Sequence, residues 1–166
     1  MDLKTFQRGE TPRAFVESMQ EPVREKFNAL LEESRAGLTA SDQGLSLAPD
    51  VRVVVIAEPW SGDVLYNLPA LLALAESQDW QVRIFRRDEN LALIEPYKKD
   101  GIYLSIPVFI FFDEEFRELA HWIERPQIAT KTIDEESLNL RRKLREENKA
   151  AWRAATLDEL KDLLAQ

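Results

Sequence analysis

The stretch Val51-Arg52-Val53-Val54-Val55-Ile56-Ala57-Glu58-Pro59-Trp60-Ser61-Gly62-Asp63-Val64 decides how this chain is read. Its first half is a run of β-branched residues interrupted only by Arg52, the pattern of a strand buried on both faces. Its second half turns at Glu58-Pro59-Trp60 and opens a helix predicted over residues 63–77. Ser61 is placed to cap that helix by accepting an amide hydrogen bond, and Asp63 favours its first turn through the helix dipole. Pro69 falls inside the pattern, where the ring should bend the helix.

Downstream of this segment, Trp80, Val82 and Ile84 alternate with polar neighbours and predict a strand over residues 80–86. A short helix is expected over 89–99, closed by the turn Asp100-Gly101. Residues 107–112 read as a third strand and 116–124 as a fourth, joined by Asp113-Glu114-Glu115. Two capping boxes follow, each satisfying orphan amides at a helix start. Thr132-Ile133-Asp134-Glu135 would open a long helix to about residue 152, and Thr156-Leu157-Asp158-Glu159 a separate terminal one. Upstream, Thr11-Pro12 marks a helix start with Phe15, Val16 and Met19 on its apolar stripe. A second helix is expected over 22–35, and a connecting loop over 36–50.

The middle of the chain is therefore β-α-β-α-β-β-α. A helical crossover makes the first two strands parallel, and a tight turn makes the last two antiparallel. The implied fold class is α/β, a mixed four- to five-stranded sheet flanked by helices. Residues 1–49 form an N-terminal helical segment and loop, 50–130 the core, and 131–166 helices that pack on it.

Composition narrows the chemistry. The 166 residues include no cysteine and one histidine, His121, and carry a net charge of −8. Disulfides, thiolate catalysis, zinc–thiolate sites and iron–sulfur clusters are excluded, and no metal or other cofactor is expected. The acidic balance argues against nucleic acid and anionic membranes as partners. No signal peptide is visible at the N-terminus, and the apolar run of residues 106–112 is far too short to span a bilayer. A soluble cytoplasmic protein is the expectation.

Four features in register resemble the thioredoxin-like family. The element order matches, and Trp60-Ser61-Gly62-Asp63-Val64 aligns with its W-C-x-x-C site. Pro69, eight positions after Ser61, stands where the family has its helix-bending proline, and Pro107 where it has its cis-proline. The chain is closer still to a bacterial branch whose site reads roughly W-C-G-D-A, through Arg87-Asp88-Glu89-Asn90, Ser105-Ile106-Pro107 and Trp122-Ile123-Glu124-Arg125-Pro126. The resemblance implies a thioredoxin-like fold and a site in which Ser61 occupies the place of the nucleophilic cysteine and Val64 that of the resolving one. It also implies that the family's buried acid, six positions before the first cysteine, is replaced by Val55. Dithiol–disulfide exchange needs a thiolate of lowered pKa and a second thiol, so this chain as it stands lacks that chemistry.

What remains is a candidate groove for a peptide or ligand, formed by Trp60, Ser61, Gly62, Asp63, Ile106, Pro107 and Arg125, the alternative being that Trp60 simply caps the end of the sheet. The resemblance implies that Ile106 offers its backbone to an extended partner strand. The favoured function is a redox-inactive binding or interaction module. The alternative is a monothiol oxidoreductase, if Ser61 replaces a native cysteine. A Ser61–His121 hydrolytic pair is the weaker enzyme reading, because His121 falls mid-strand. Glu58 with Asp63 suggests paired acids or a magnesium site, against a simple dipole role. Arg125 is expected to bind an anion or to pair with Glu58, the ion pair being favoured. Arg141, Arg142, Lys143, Arg145, Lys149 and Arg153 are interleaved with glutamates and read as a solvated helix face. Leu157, Leu160, Leu163 and Leu164 would pack on the domain or form a dimer contact, leaving monomer and homodimer open.

Overall fold

The computed structural model describes residues 1–38, 50–133 and 138–164. The expected loop over 36–50 and the Asp134-Glu135 half of the first capping box therefore lie largely outside the described residues. Three helices lead in: α1 (Leu3–Phe6), α2 (Pro12–Glu17) and α3 (Glu21–Gly37). The core follows as β1 (Arg52–Ala57), α4 (Gly62–Ser77), β2 (Gln81–Arg86), α5 (Leu91–Ile94), β3 (Val108–Phe112) and β4 (Glu118–Ile123). Two more helices, α6 (Gln127–Ile133) and α7 (Leu138–Leu164), complete the chain.

The sheet has strand order β2-β1-β3-β4, with β1 and β2 parallel and β1–β3 and β3–β4 antiparallel. Burial follows position in this order. Residues Val53 to Ala57 of β1 and all of β3 are buried, as central strands covered on both faces require, whereas the edge strands β2 and β4 are only partly buried. The outer edge of β2 is closed by the N-terminal segment through an antiparallel bridge. Glu10 N–H donates to Ile84 O at 2.8 Å and Ile84 N–H to Glu10 O at 2.9 Å. Unpaired strand edges invite aggregation, so this bridge also protects the sheet. Gly9 is required beside it, since a Cβ there would lie 2.7 Å from the Phe85 ring.

Helix α4 is apolar almost all round and packs against both α3 and α7. Pro69 sits within it, buried. One continuous core joins Phe6, Phe15 and Phe27 of the N-terminal helices, the sheet, and Leu157 and Leu160 of α7.

Three expectations about helices need correction. Thr132 and Ile133 do not open the long helix but are the last two residues of α6. The region 89–99 is not one helix but a 3-10 turn (Arg87–Glu89), the single turn α5, and a second 3-10 turn (Glu95–Tyr97). Pro96 has no N–H to continue the α-helical ladder. The second capping box does not start a helix, because α7 runs unbroken through it. Thr156 is fully buried and its hydroxyl turns inward, within 2.9 Å of both Trp152 O and Asn67 Oδ1. A threonine that bonds back one turn fits a helix interior as well as an N-cap.

Candidate functional site

The site lies where β1 ends and α4 begins. The chain leaves the sheet at Ala57, and Ser61 N–H donates to Glu58 O at 3.1 Å to close the turn. Ser61 then takes an extended conformation and caps α4, its Oγ accepting from Val64 N–H at 3.4 Å. This is the role of an N-cap side chain. Trp60, at the tip of the turn, is 64% exposed, and the Arg87 guanidinium lies 5.1 Å from its ring centroid. A cation over an indole face is attracted by the ring's quadrupole, so Arg87 holds the indole at one wall of the site.

Glu58 and Asp63 do not act as a pair. Glu58 is buried and its Oε1 accepts from Asp88 N–H at 2.9 Å, tying the site turn to the 3-10 turn after β2. Asp63 faces the other way, toward two arginines. Its Oδ2 accepts from Arg125 Nη2 at 3.1 Å and from Arg145 Nη2 at 3.0 Å, and its Oδ1 from Arg145 Nε at 3.2 Å. Arg125 thus forms the expected ion pair with a different acid, and also bonds Glu124. No group of three or more potential metal ligands exists among the described residues.

Asn67, one turn into α4, carries the network inward. Its amide donates to Asp63 O at 2.8 Å and to Glu124 O at 3.2 Å, and its Oδ1 accepts from Thr156. The helix start is thereby fixed to β4's exit and to α7.

On the far side of Trp60 the Ile106–Pro107 peptide bond is cis, and Ile106 and Pro107 precede β3 directly. Glu124 N–H donates to Pro107 O at 2.7 Å. No described group hydrogen-bonds to the N–H or C=O of Ile106. An open cleft of about 570 Å³ runs alongside, between Trp60 and Arg87 and the loop of Ile102, Tyr103 and Ser105. Ile102 and Tyr103 are 69% and 59% exposed. They are presented by a tight turn in which Lys99 and Tyr103 exchange backbone bonds across Asp100 and Gly101, both at positive φ.

Trp60, Ser61 and Asp63 line one cleft with Ile106, whereas Gly62 and Pro107 do not line it and Arg125 lies behind Asp63. Val64 and Val55 are fully buried in the core. His121 does not join them. It lies on β4 opposite Ile110, with Nδ1 2.8 Å from Glu118 Oε1 and its ring edge-on to Tyr97. Burial and Glu118 together push the Tyr97 hydroxyl well above the ordinary tyrosine range.

The contribution of α7 was not read from the sequence. Arg145 reaches Asp63 and covers Gly62, while Arg153 and Lys149 pair with Glu33 of α3. The signal was a four-residue spacing, 145-149-153, which puts three cations on one helix face. The surrounding glutamates hid it.

This arrangement, a parallel crossover feeding an antiparallel hairpin with the site at the helix start, is that of the thioredoxin fold. The Thioredoxin family model matches residues 9–153, and the chain belongs to that family. Two solved structures share the fold. One is a protein of unknown function from Pseudomonas aeruginosa, 23% identical, with a TM-score of 0.72 over 96% of this chain and 92% of that one. The other is an HIV epitope-scaffold, 19% identical, with a TM-score of 0.77 over 98% of this chain and 96% of that one. No curated protein matches the chain.

Proposed function

We propose that this protein is a redox-inactive thioredoxin-like binding module that holds an extended polypeptide segment against Ile106. The observation that carries the reading is the unpaired backbone of Ile106 beside exposed Trp60, Ile102 and Tyr103. An extended partner can pair with that N–H and C=O as one more strand segment, while the apolar side chains cover its own. Ser61 and Val64 supply no thiol at either redox position. The site therefore offers shape without electron transfer.

The bacterial W-C-G-D branch supplies the competing reading, in which Ser61 stands for a native cysteine. Ser61 does occupy the N-cap of α4, where a helix dipole would stabilise a thiolate. An insulin disulfide-reduction assay separates the two. The binding-module reading expects no turnover above buffer, and measurable turnover overturns it. The groove is tested with an array of unstructured peptides probed by the wild type and by Trp60→Ala. Binding retained in full by Trp60→Ala would move the site elsewhere.

A further inference from the structure

Nine large apolar side chains are exposed among the described residues, and four of them, Trp60, Leu91, Ile102 and Tyr103, line the cleft that runs past Ile106. The other five, Met1, Leu3, Leu119, Ile128 and Leu140, do not line it. Single exposed apolar residues are ordinary on a folded surface, whereas a group of them along a groove marks a place that another chain covers. The four come from three separate segments: the turn before α4, the start of α5 and the tight turn after Lys99. No local apolar run brings them together; the fold does.

Charge around this cleft is uneven. Its one lining cation, Arg87, is committed: Nε donates to Asp88 Oδ1 at 2.9 Å, Nη1 to Leu104 O at 3.4 Å, and the guanidinium covers Trp60. The lining carboxylates are Asp63, Asp88 and Glu124. Asp63 is balanced by Arg125 and Arg145, Glu124 by Lys99 and Arg125, and Asp88 by Arg87. Two further acids are not balanced. Glu89, between Asp88 and Leu91 in the chain, and Asp100, in the turn that presents Ile102 and Tyr103, are exposed, and neither side chain has a described hydrogen bond or ion pair. The apolar residues are thus accompanied by uncompensated negative charge, on a chain whose net charge is −8.

We propose that the segment this groove takes is an extended polypeptide run of bulky apolar residues flanked by lysine or arginine. This rests on the Ile106 reading of the site and adds the chemistry of its occupant. The backbone of Ile106 pairs with that of the partner, the partner's apolar side chains lie on Trp60, Leu91, Ile102 and Tyr103, and its flanking cations meet Glu89 and Asp100. An acidic flank is repelled by both carboxylates and by the net charge of the chain.

The test is fluorescence anisotropy of labelled peptides that share one run of apolar residues between flanks of lysine, glutamine or glutamate. The lysine-flanked peptide should bind about three- to tenfold more tightly than the glutamine-flanked one, as two exposed charge pairs allow, and the glutamate-flanked peptide most weakly. That margin should shrink as salt is raised from about 0.05 to about 0.5 M. Glu89→Gln combined with Asp100→Asn should remove most of the preference and leave binding of the glutamine-flanked peptide unchanged. Both side chains are exposed, and asparagine tolerates the φ of 55° at Asp100, so the fold is kept. A lysine-flanked peptide with serines in place of its apolar run should not bind; affinity equal to that of the apolar peptide would reduce the effect to bulk charge and overturn the proposal. Equal affinity for the lysine- and glutamine-flanked peptides, or a preference that survives the double variant, would also overturn it while leaving the Ile106 groove in place. Failure of every peptide to bind would overturn the groove reading itself, and this inference with it.

Discussion

Replacing Asp63 by alanine is the most direct probe of how this site is held. Its carboxylate lies between Arg125 and Arg145, with bonds of 3.0 to 3.2 Å. The three side chains are 12%, 5% and 13% exposed, so water screens them weakly. Removing one partner from a buried ion pair costs about 3–5 kcal/mol, because the other charge is left desolvated. Arg125 keeps Glu124, and Arg145 borders a second cleft, at the start of α4, and can regain some water, which puts the loss at the low end, about 3 kcal/mol. For a chain of this size the melting midpoint should fall by roughly 6–12 °C. Urea unfolding followed by circular dichroism measures the loss. Glu147→Gln is the control, since its Lys143 partner is 3.6 Å away with both side chains more than half exposed. That change should stay below about 0.5 kcal/mol. A double-mutant cycle between Asp63→Ala and Arg145→Ala should give a coupling above about 1 kcal/mol. If Asp63→Ala costs less than about 1 kcal/mol, or the coupling vanishes, the carboxylate does not organise the site and the reasoning fails.

Other outcomes follow from single contacts. Thr156→Val keeps the shape but leaves Asn67 Oδ1 without its donor, and should cost about 1–3 kcal/mol in the same urea assay. Gly9→Ala should cost on the order of 1–3 kcal/mol, as its Cβ meets Phe85 and Arg83 below 3 Å, and should speed proteolysis of the N-terminal arm. Gly37→Ala meets nothing within 4 Å at the end of α3 and should stabilise by about 0.5–1 kcal/mol. Tyr97 ionises later in the folded chain than in the unfolded one. Its contribution to stability is therefore complete below the ordinary tyrosine range and is lost as pH rises through the raised folded value. Alkaline absorbance titration should show a late phenolate step that Tyr97→Phe removes; an unchanged curve would contradict the burial of that hydroxyl.

Much of the fold was legible because its signals are local. The β-branched run of β1 and the apolar run of β3 mark strands covered on both faces, and the alternation of Trp80, Val82 and Ile84 marks β2. Ser61 as N-cap was legible for the same reason, since capping involves a side chain and an amide three residues away. The errors arose where a local signal admits two outcomes. Thr156-Leu157-Asp158-Glu159 has the letters of a capping box, but its threonine is drawn inward by Asn67, 89 residues earlier in the chain. The weak helix over 89–99 was overestimated because Pro96 and the need to present the Tyr103 loop break it into single turns.

The sequence by itself determined that the chain carries no thiol chemistry, that its central strands are buried, and that a helix begins at Ser61. Composition and short-range periodicity suffice for each. Only the tertiary structure decided that Asp63 is held by Arg145, 82 residues away, and that Arg142 borders the same helix start. Which cation of a charged helix faces a site depends on how α7 packs on α4. That orientation is set by interlocking side chains across the interface, not by the pattern of either helix alone.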